Sequence, residues 1–340
     1  LTLLMIYDRY YYSKLNNREK KAYKKIYAAM QNYEPSVTIN GFIETDIPKL
    51  ISAINLDNPH LFYVDFRYGF QSDLFSQTII LKYIYNQADT LILTEKVKKV
   101  CNKILSKVTG KTEFEKELSL HDILARNVLY DDVAKDNLLK FHARSNTILG
   151  VLFYKTAVCE GIAKTFKFLL NALDIKCIVV KGKATDDLSG NLSADTLHAW
   201  NMVKIDGQPY HVDLTWNISS SDKNMLCHYY FNLSDMDISI DHAISSDLPK
   251  CRSNNENYYY KSGLIVENKS DLRGIIYKRI QNGINTVEFK LCANVFENET
   301  ETMYFVQKSI DVATYYLKSF SLAYAANLRR NVYFFLWTFK

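Results

Sequence analysis

Proline and glycine are scarce, with 5 and 11 among 340 residues. That leaves no room for a long flexible linker or a collagen-like tract. There is no internal repeat, and no apolar run reaches the ~20 residues that a helix needs to span a bilayer. A strong charge of one sign is also missing: 42 basic against 37 acidic residues give a net charge of +5. The densest basic stretches, REKKAYKK at 18–25 and EKVKKVCNK at 95–103, place their charges at helical spacing beside apolar residues. This is the pattern of a solvated helix face and not of a nucleic-acid patch. The six cysteines (101, 159, 177, 227, 251 and 292) form no CxxC and no paired Cys/His spacing. A structural zinc site and a disulfide scaffold are both unexpected on that pattern. No carboxylate cluster has calcium-binding spacing.

What remains is ordinary for a folded chain: 48% hydrophobic and 23% charged residues. The 25 tyrosines, beside many Asn, Lys and Ile, read as the codon bias of an AT-rich genome. The length suits two or three domains. The chain starts at Leu1, not Met, so a leader or boundary upstream is expected. Helical periodicity over 17–33 puts Ala22, Ile26, Ala29 and Met30 on one stripe, capped by Asn16 or Asn17. A short helix follows Pro48, and strands are expected after 57 and over 77–86. Two helices, about 92–108 and 111–127, flank Gly110. Beyond residue 245 the pattern predicts a strand in NYYYKSGLIV, a helix at 270–282, the strand TVEFKL, a helix at 300–317 and a closing hairpin. That tail has the outline of a small α/β unit.

The centre differs. Cys159 precedes a stripe of Ile162, Phe166, Leu169, Leu170 and Leu173, so a helix begins at or just after it. The free N–H groups and positive dipole of a helix start favour an anion there. After the apolar strand IKCIVVKGKA (175–184) and the polar loop TDDLSGNLSADT comes HAWNMVKIDGQPYHVDLTW, 198–216. Asp206-Gly207 marks a two-residue hairpin turn, which makes opposed positions sum to 413. His198, Trp200, His211, Asp213 and Thr215 then share one face, and Val203, Ile205, Val212, Leu214 and Trp216 the other. His198 and Asp213 become diagonal neighbours. With the helix over the polar face, Cys159 meets His198, and Asp213 holds the ring: an arrangement for nucleophilic acyl transfer. The bland alternatives are a core cysteine, a satisfied strand histidine and a strand-end cap. His121-Asp122 reads as a structural pair, and Asp241-His242, in a loop, is expected to take no part. Zinc on Cys159, His198 and His211 is a weaker alternative.

GVLFYKTAVCEGIAKTFKFLLNALDIKCIVVKG followed by HAWNMVKIDGQPYHVDLTWN closely resembles the transglutaminase-like superfamily, in its microbial transglutaminase/protease-like and kyphoscoliosis-peptidase-like branch. The matching blocks are Val158, Cys159, Glu160, Gly161 and Ala163; His198-Ala-Trp-Asn201; and His211, Val212, Asp213, Thr215 and Trp216. KELSLHDILARNVLYD and HYYFNLSDMDISIDH resemble flanking segments of the family. Ile162 departs from the Tyr of many relatives, a matter of packing or substrate approach. The resemblance implies an α+β, papain-like core with Cys159 as nucleophile, His198 as base and Asp213 as orienter. It divides the chain into a mixed α/β N-terminal domain (1–110), a transglutaminase-like core (111–245) and a small α/β C-terminal domain (246–340).

The expected function is thiol-dependent acyl transfer on peptide or protein amides through a thioester, by a protease, deamidase or transglutaminase. The triad serves all three. Trp200, His211, Tyr130 and Asn127 are candidates for substrate binding or support, the last two as a second oxyanion donor. No cofactor and no metal are expected, and the expected partner is a peptide or protein substrate, not a nucleic acid or a transmembrane anchor. The alternative is a non-catalytic protein- or cell-wall-binding module on the same fold. For localisation, surface-associated relatives and the start at Leu1 point to export, the six cysteines away from it.

Overall fold

The computed structural model describes residues 9–73, 75–136, 144–185, 197–220, 225–244, 247–315 and 318–339. Tyr10–Lys14 forms α1, and Asn16 then starts α2 (Asn17–Gln31) with a capping box: its side chain takes the Glu19 N–H and Glu19 returns a bond. The face expected from the sequence is buried, with Tyr23 added to it. Pro48 sits in the first turn of α3 (Ile47–Asp57), where its missing N–H costs nothing. Strands β1 (Ser36–Asn40), β2 (Val64–Ser72) and β3 (Ser76–Tyr83) form an antiparallel sheet in the order β1-β3-β2. Helices α4 (Gln87–Leu105) and α5 (Glu113–Asn127) follow, the second opened by a Thr112–Glu115 capping box. One apolar cluster runs unbroken from Leu15 through α5 to Phe231, so the first hundred residues pack into the same core as the centre of the chain.

The central layer has β4 (Leu129–Tyr130) and β5 (Thr156–Ala157) paired in parallel, with α6 (Asp132–Asp136) between them in sequence. Helix α7 (Cys159–Asn171) leads into β6 (Cys177–Ala184), β7 (Leu197–Ile205) and β8 (Gln208–Val212). With β9 (His242–Ala243) they form an antiparallel sheet in the order β8-β7-β6-β9. The β7–β8 register matches the turn rule, with Ile205 opposite Gln208 and Asn201 opposite Val212. Asp206 and Gly207 both adopt positive φ, 47° and 83°, as a type I′ turn requires. Two expectations are corrected here. The second strand stops at Val212, and Leu214–Ser220 is a helix, α8, because the Asp213 side chain takes the Trp216 N–H at 3.0 Å and caps it. Helix α7 also lies against the other face of the hairpin from the one expected. Ala199 packs with Ala163 and Val179, and Asn201 Nδ2 donates to Ala163 O at 2.9 Å. Trp200 and Met202 belong to a separate cluster with Ile178, Val180 and Cys251. The polar loop expected at 185–196 lies outside the described residues from 186 onward.

Past α9 (Asp235–Ile238) the strand expected in NYYYKSGLIV is reduced to its end: a short helix, α10 (Tyr258–Lys261), precedes a two-residue β10 (Ile265–Val266). Asn257 caps it, and the buried Tyr259 hydroxyl donates to Glu288 at 2.6 Å. Helices α11 (Lys269–Gln281) and α12 (Glu299–Ala313) belong with β11 (Thr286–Leu291), β12 (Phe320–Asn327) and β13 (Val332–Phe339). The sheet order is β10-β11-β13-β12, and Val287, Phe289, Phe335 and Trp337 centre its own apolar cluster. It is joined to the rest through His228, which bonds Glu288 at 2.7 Å and Asp122 at 3.0 Å.

Glu117 on α5 is fully buried; Asn232 donates to its Oε2 at 2.8 Å, while Oε1 has no partner among the described residues. Burial pushes its carboxyl up to about 8, partly offset by the Asn232 bond. The folded chain therefore holds a proton that the unfolded chain releases above the ordinary carboxyl range, so stability falls as pH rises from about 4.5 toward 8. Glu117→Gln removes this loss. In urea melts, the stability difference between variant and wild type is expected to grow through that window, by up to about 1.4 kcal/mol per pH unit. A pH-independent difference would count against a protonated Glu117.

Candidate active site

Cys159 is the first residue of α7, with Val158 in extended backbone before it and no side chain occupying the cap. The N–H groups of a first turn have no carbonyl in their own helix, and Cys159 stands at that end of α7. The tight entry depends on Gly161, where an added Cβ would stand 2.2 Å from the Ser145 carbonyl oxygen. Val158 N–H donates to that same oxygen at 3.2 Å. Ile162, the departure noted in the sequence, is buried in the main core. Glu160 turns away from the thiol and meets Lys164 at 2.7 Å, Lys181 at 2.9 Å and Asn55 at 2.9 Å. Burial opposes its charge, but the two lysines hold its carboxyl well below the usual range.

The His-Ala-Trp-Asn block works residue by residue. His198, the second residue of β7, carries the imidazole. Ala199 is small enough for α7 to approach, and Asn201 ties the strand to that helix. Trp200 lies over Gly182, where a Cβ would come within 2.6 Å of its ring. The Trp200 indole N–H donates to His211 Nδ1 at 3.0 Å.

His198 Nε2 and Asp213 Oδ2 are 2.6 Å apart, and both side chains are buried. Cys159 is near enough to His198 to raise the proton affinity of its ring; with Nε2 engaged by Asp213, Nδ1 is the nitrogen left for it. Burial disfavours the charged ring, but the Asp213 carboxylate outweighs it and, with Cys159, pushes His198 up to about 10. Asp213 moves the opposite way: burial works against its charge, and His198 and His242 hold it well below the carboxylate range. Thus Asp213 caps α8 through Oδ1 and binds imidazole through Oδ2.

Of the supporting candidates, Tyr130 is near the site. Its hydroxyl is pushed up by burial and by the charges of Cys159, Asp132 and Asp213. Asn127 donates instead to Ile123 O at 2.7 Å, within its own helix. Trp200 is buried and packs the strands. His211 is not brought to Cys159; its Nε2 meets Asp235 at 3.0 Å, and burial lowers it to about 4. The weaker zinc arrangement of Cys159, His198 and His211 is therefore not assembled. Three other groups bring metal-type donor atoms within 4.8 Å of one another: His121–Asp122–His228, His198–Asp213–His242 and His211–Asp235–Cys251. Hydrogen bonds already join the donors within the first two, and His211 to Asp235 in the third.

Sequence reasoning missed His242. Its Nε2 lies 3.0 Å from Asp213 Oδ2, and its Nδ1 lies 2.6 Å from Asp241 Oδ1. The Asp-His pair was visible, but its loop setting concealed that β9 docks on β6, with Ala184 opposite His242.

A helix bearing a cysteine at its start, packed on an antiparallel sheet that carries His and Asp, is a papain-like α+β core. Residues 95–214 match the model of the transglutaminase-like superfamily. The likeness to that superfamily is seated in this stretch of the chain. Among solved structures it is similar to a TGase at 15% identity and TM-score 0.31, over 53% of this chain and 51% of that one. A candidate cysteine protease from Cytophaga hutchinsonii is similar at 16% identity and TM-score 0.27, over 44% and 61%. A candidate protease from Parabacteroides distasonis ATCC 8503 is similar at 13% identity and TM-score 0.25, over 45% and 39%. The chain thus spans less than two thirds of each. No curated protein matches it.

Proposed function

We propose that the protein is a thiol-dependent acyl-transfer enzyme acting on peptide or protein amides, with Cys159 as nucleophile, His198 as acid and base and Asp213 as orienter. The observation that carries this reading is the 2.6 Å bond from His198 Nε2 to Asp213, with the ring's other nitrogen left for a cysteine at a helix start. In this scheme Cys159 Sγ attacks the amide carbonyl and the carbonyl oxygen takes up the charge. The Cys159 N–H is directed to where that charge develops. The C–N bond then breaks, and the proton held on His198 goes to the departing amine. A thioester remains on Cys159. Water, or an amine, gives a proton to His198 as it attacks the thioester; the C–S bond breaks, which frees the thiolate beside the charged ring and yields an acid or a new amide. Hydrolysis of a peptide bond makes the enzyme a protease, hydrolysis of a glutamine amide a deamidase, and transfer to an amine a cross-linker.

The test is the rate of iodoacetamide labelling at each cysteine from pH 5 to 9, followed by peptide and amine profiling. A positive ring beside the sulfur predicts that Cys159 reacts at pH 6 roughly 10- to 100-fold faster than Cys292, the exposed thiol. His198→Ala is expected to erase the advantage. Equal rates in the wild type would overturn the reading in favour of a binding module on this fold.

A further inference from the structure

His242 lies outside the family-matched residues 95–214, yet it bonds the same Asp213 Oδ2 that holds His198. Its ring is fixed at both ends, because Nδ1 faces Asp241 Oδ1 at 2.6 Å. Asp241 is anchored in turn: Arg330 Nη2 donates to Oδ1 at 2.7 Å, and the Tyr230 hydroxyl donates to Oδ2 at 3.0 Å. Arg330, on the turn between β12 and β13, also donates to Asp237 O at 2.7 Å and stacks on the Tyr230 ring. Asn327 Nδ2 reaches the Tyr230 hydroxyl at 3.1 Å. A buried run of hydrogen bonds therefore connects the C-terminal hairpin to Asp213. The indoles close it off, with ring centres 4.6 Å (Trp216) and 5.1 Å (Trp200) from His242.

We propose that His242 is a positioning residue of this site, setting the orientation and proton affinity of the Asp213–His198 pair through a second hydrogen bond to one carboxylate oxygen. The proposal rests on the reading of Cys159 and His198 as nucleophile and base. A carboxylate oxygen that accepts two imidazole N–H groups is less basic than one that accepts a single group. Loss of the His242 bond lets Asp213 hold the His198 proton more tightly, which slows its delivery to the leaving amine. Among the described residues, the other charged or titratable groups that face His242 are few. They are Asp213 after β8, Asp241 beside it, His198 on β7 with ring centres 5.5 Å apart, Tyr230 with ring centres 5.9 Å apart, and His211 on β8. Arg330 acts through Asp241.

Two substitutions separate positioning from simple support. Glutamine carries its amide nitrogen where Nε2 stands and can keep the Asp213 bond; asparagine carries it where Nδ1 stands and keeps only the Asp241 side. The full chain, labelled with ¹⁵N-histidine, is titrated by imidazole NMR, with melting curves run alongside. In His242→Asn the pH at which His198 loses its proton is expected to rise by about one unit, and in His242→Gln to return close to the wild-type value. Equal shifts in both variants, or none in either, overturn the proposal. The wild type supplies a check that does not depend on a variant folding: His242 Nε2–H must appear as a low-field proton slow to exchange, and its absence overturns the proposal too. Iodoacetamide labelling of wild-type Cys159 is recorded in parallel. Slow labelling together with the ring shifts defeats the acyl-transfer reading and leaves the His242 assignment standing; fast labelling without them does the reverse.

Discussion

Asp213→Asn is expected to lower turnover about a thousandfold or more while leaving most of the fold in place. Oδ1 survives as an amide oxygen and can go on capping Trp216 N–H, now 3.0 Å away. Oδ2 is the difficulty. It faces two imidazole nitrogens, His198 Nε2 at 2.6 Å and His242 Nε2 at 3.0 Å. An amide NH₂ there sets a donor against two donors, so at least one ring must change tautomer. If His198 does, its proton moves to Nδ1, where it faces Cys159 and cannot receive the thiol proton. The loss of comparable orienters in acyl-transfer triads has cost of this order. The removed carboxylate also no longer holds His198 charged against its burial. Steady-state kinetics and a melting curve decide the matter: a well-folded variant within tenfold of wild-type turnover would remove Asp213 from the orienting role.

The site was legible in the sequence to the extent that short-range rules set it. Positive φ at Asp206 and Gly207 fixes the hairpin register, and the register brings His198 to Asp213. The stripe from Ile162 to Leu170 sets the start of α7 at Cys159. The reading of the strand beyond Asp213 failed because two patterns compete there. LTW alternates like a strand, but an Asp at the end of a strand can cap a helix, and it does. The side of the hairpin that α7 covers was misjudged because polar His198 and His211 looked like a site-facing row. That face is instead lined by Trp200, Met202, Ile178 and Val180, and α7 takes the side with the small Ala199.

His242 shows where a one-dimensional pattern stops. Nothing local says that its Asp-His pair reaches the site while the pair at His121, which bonds Asp122 at 3.0 Å and Asn217 at 2.9 Å, does not. The difference is long-range: two residues of β9 pair with Lys183 and Ala184, and Arg330 arrives from a hairpin 89 residues beyond Asp241. The C-terminal unit follows the same division. Its helices and hairpin obey their periodicity, but Tyr258–Lys261 becomes helical because Asn257 caps it and Glu288 awaits the Tyr259 hydroxyl.

Gly161→Ala is expected to be among the most destabilising single-methyl substitutions in the chain, at about 2–4 kcal/mol. Helix propensity argues for the opposite sign, since alanine improves on glycine in a helix by up to about 1 kcal/mol. The steric term decides. The added Cβ would stand 2.2 Å from Ser145 O and 3.1 Å from the Ala157 Cβ. The oxygen is backbone, and it accepts the Val158 N–H, so relief requires the 144–145 segment or the start of α7 to move. Either movement displaces Cys159, two residues away, relative to His198, so labelling of Cys159 should fall with stability. Gly274 supplies the control. It too lies within a helix, α11, but an added Cβ there meets nothing within 4 Å. Gly274→Ala is expected to stabilise the chain by about 0.5–1 kcal/mol. Paired urea melts read both signs at once. If Gly161→Ala matched Gly274→Ala, then α7 does not enter its bend as tightly as the Ser145 contact requires, and the position of the thiol would need another cause.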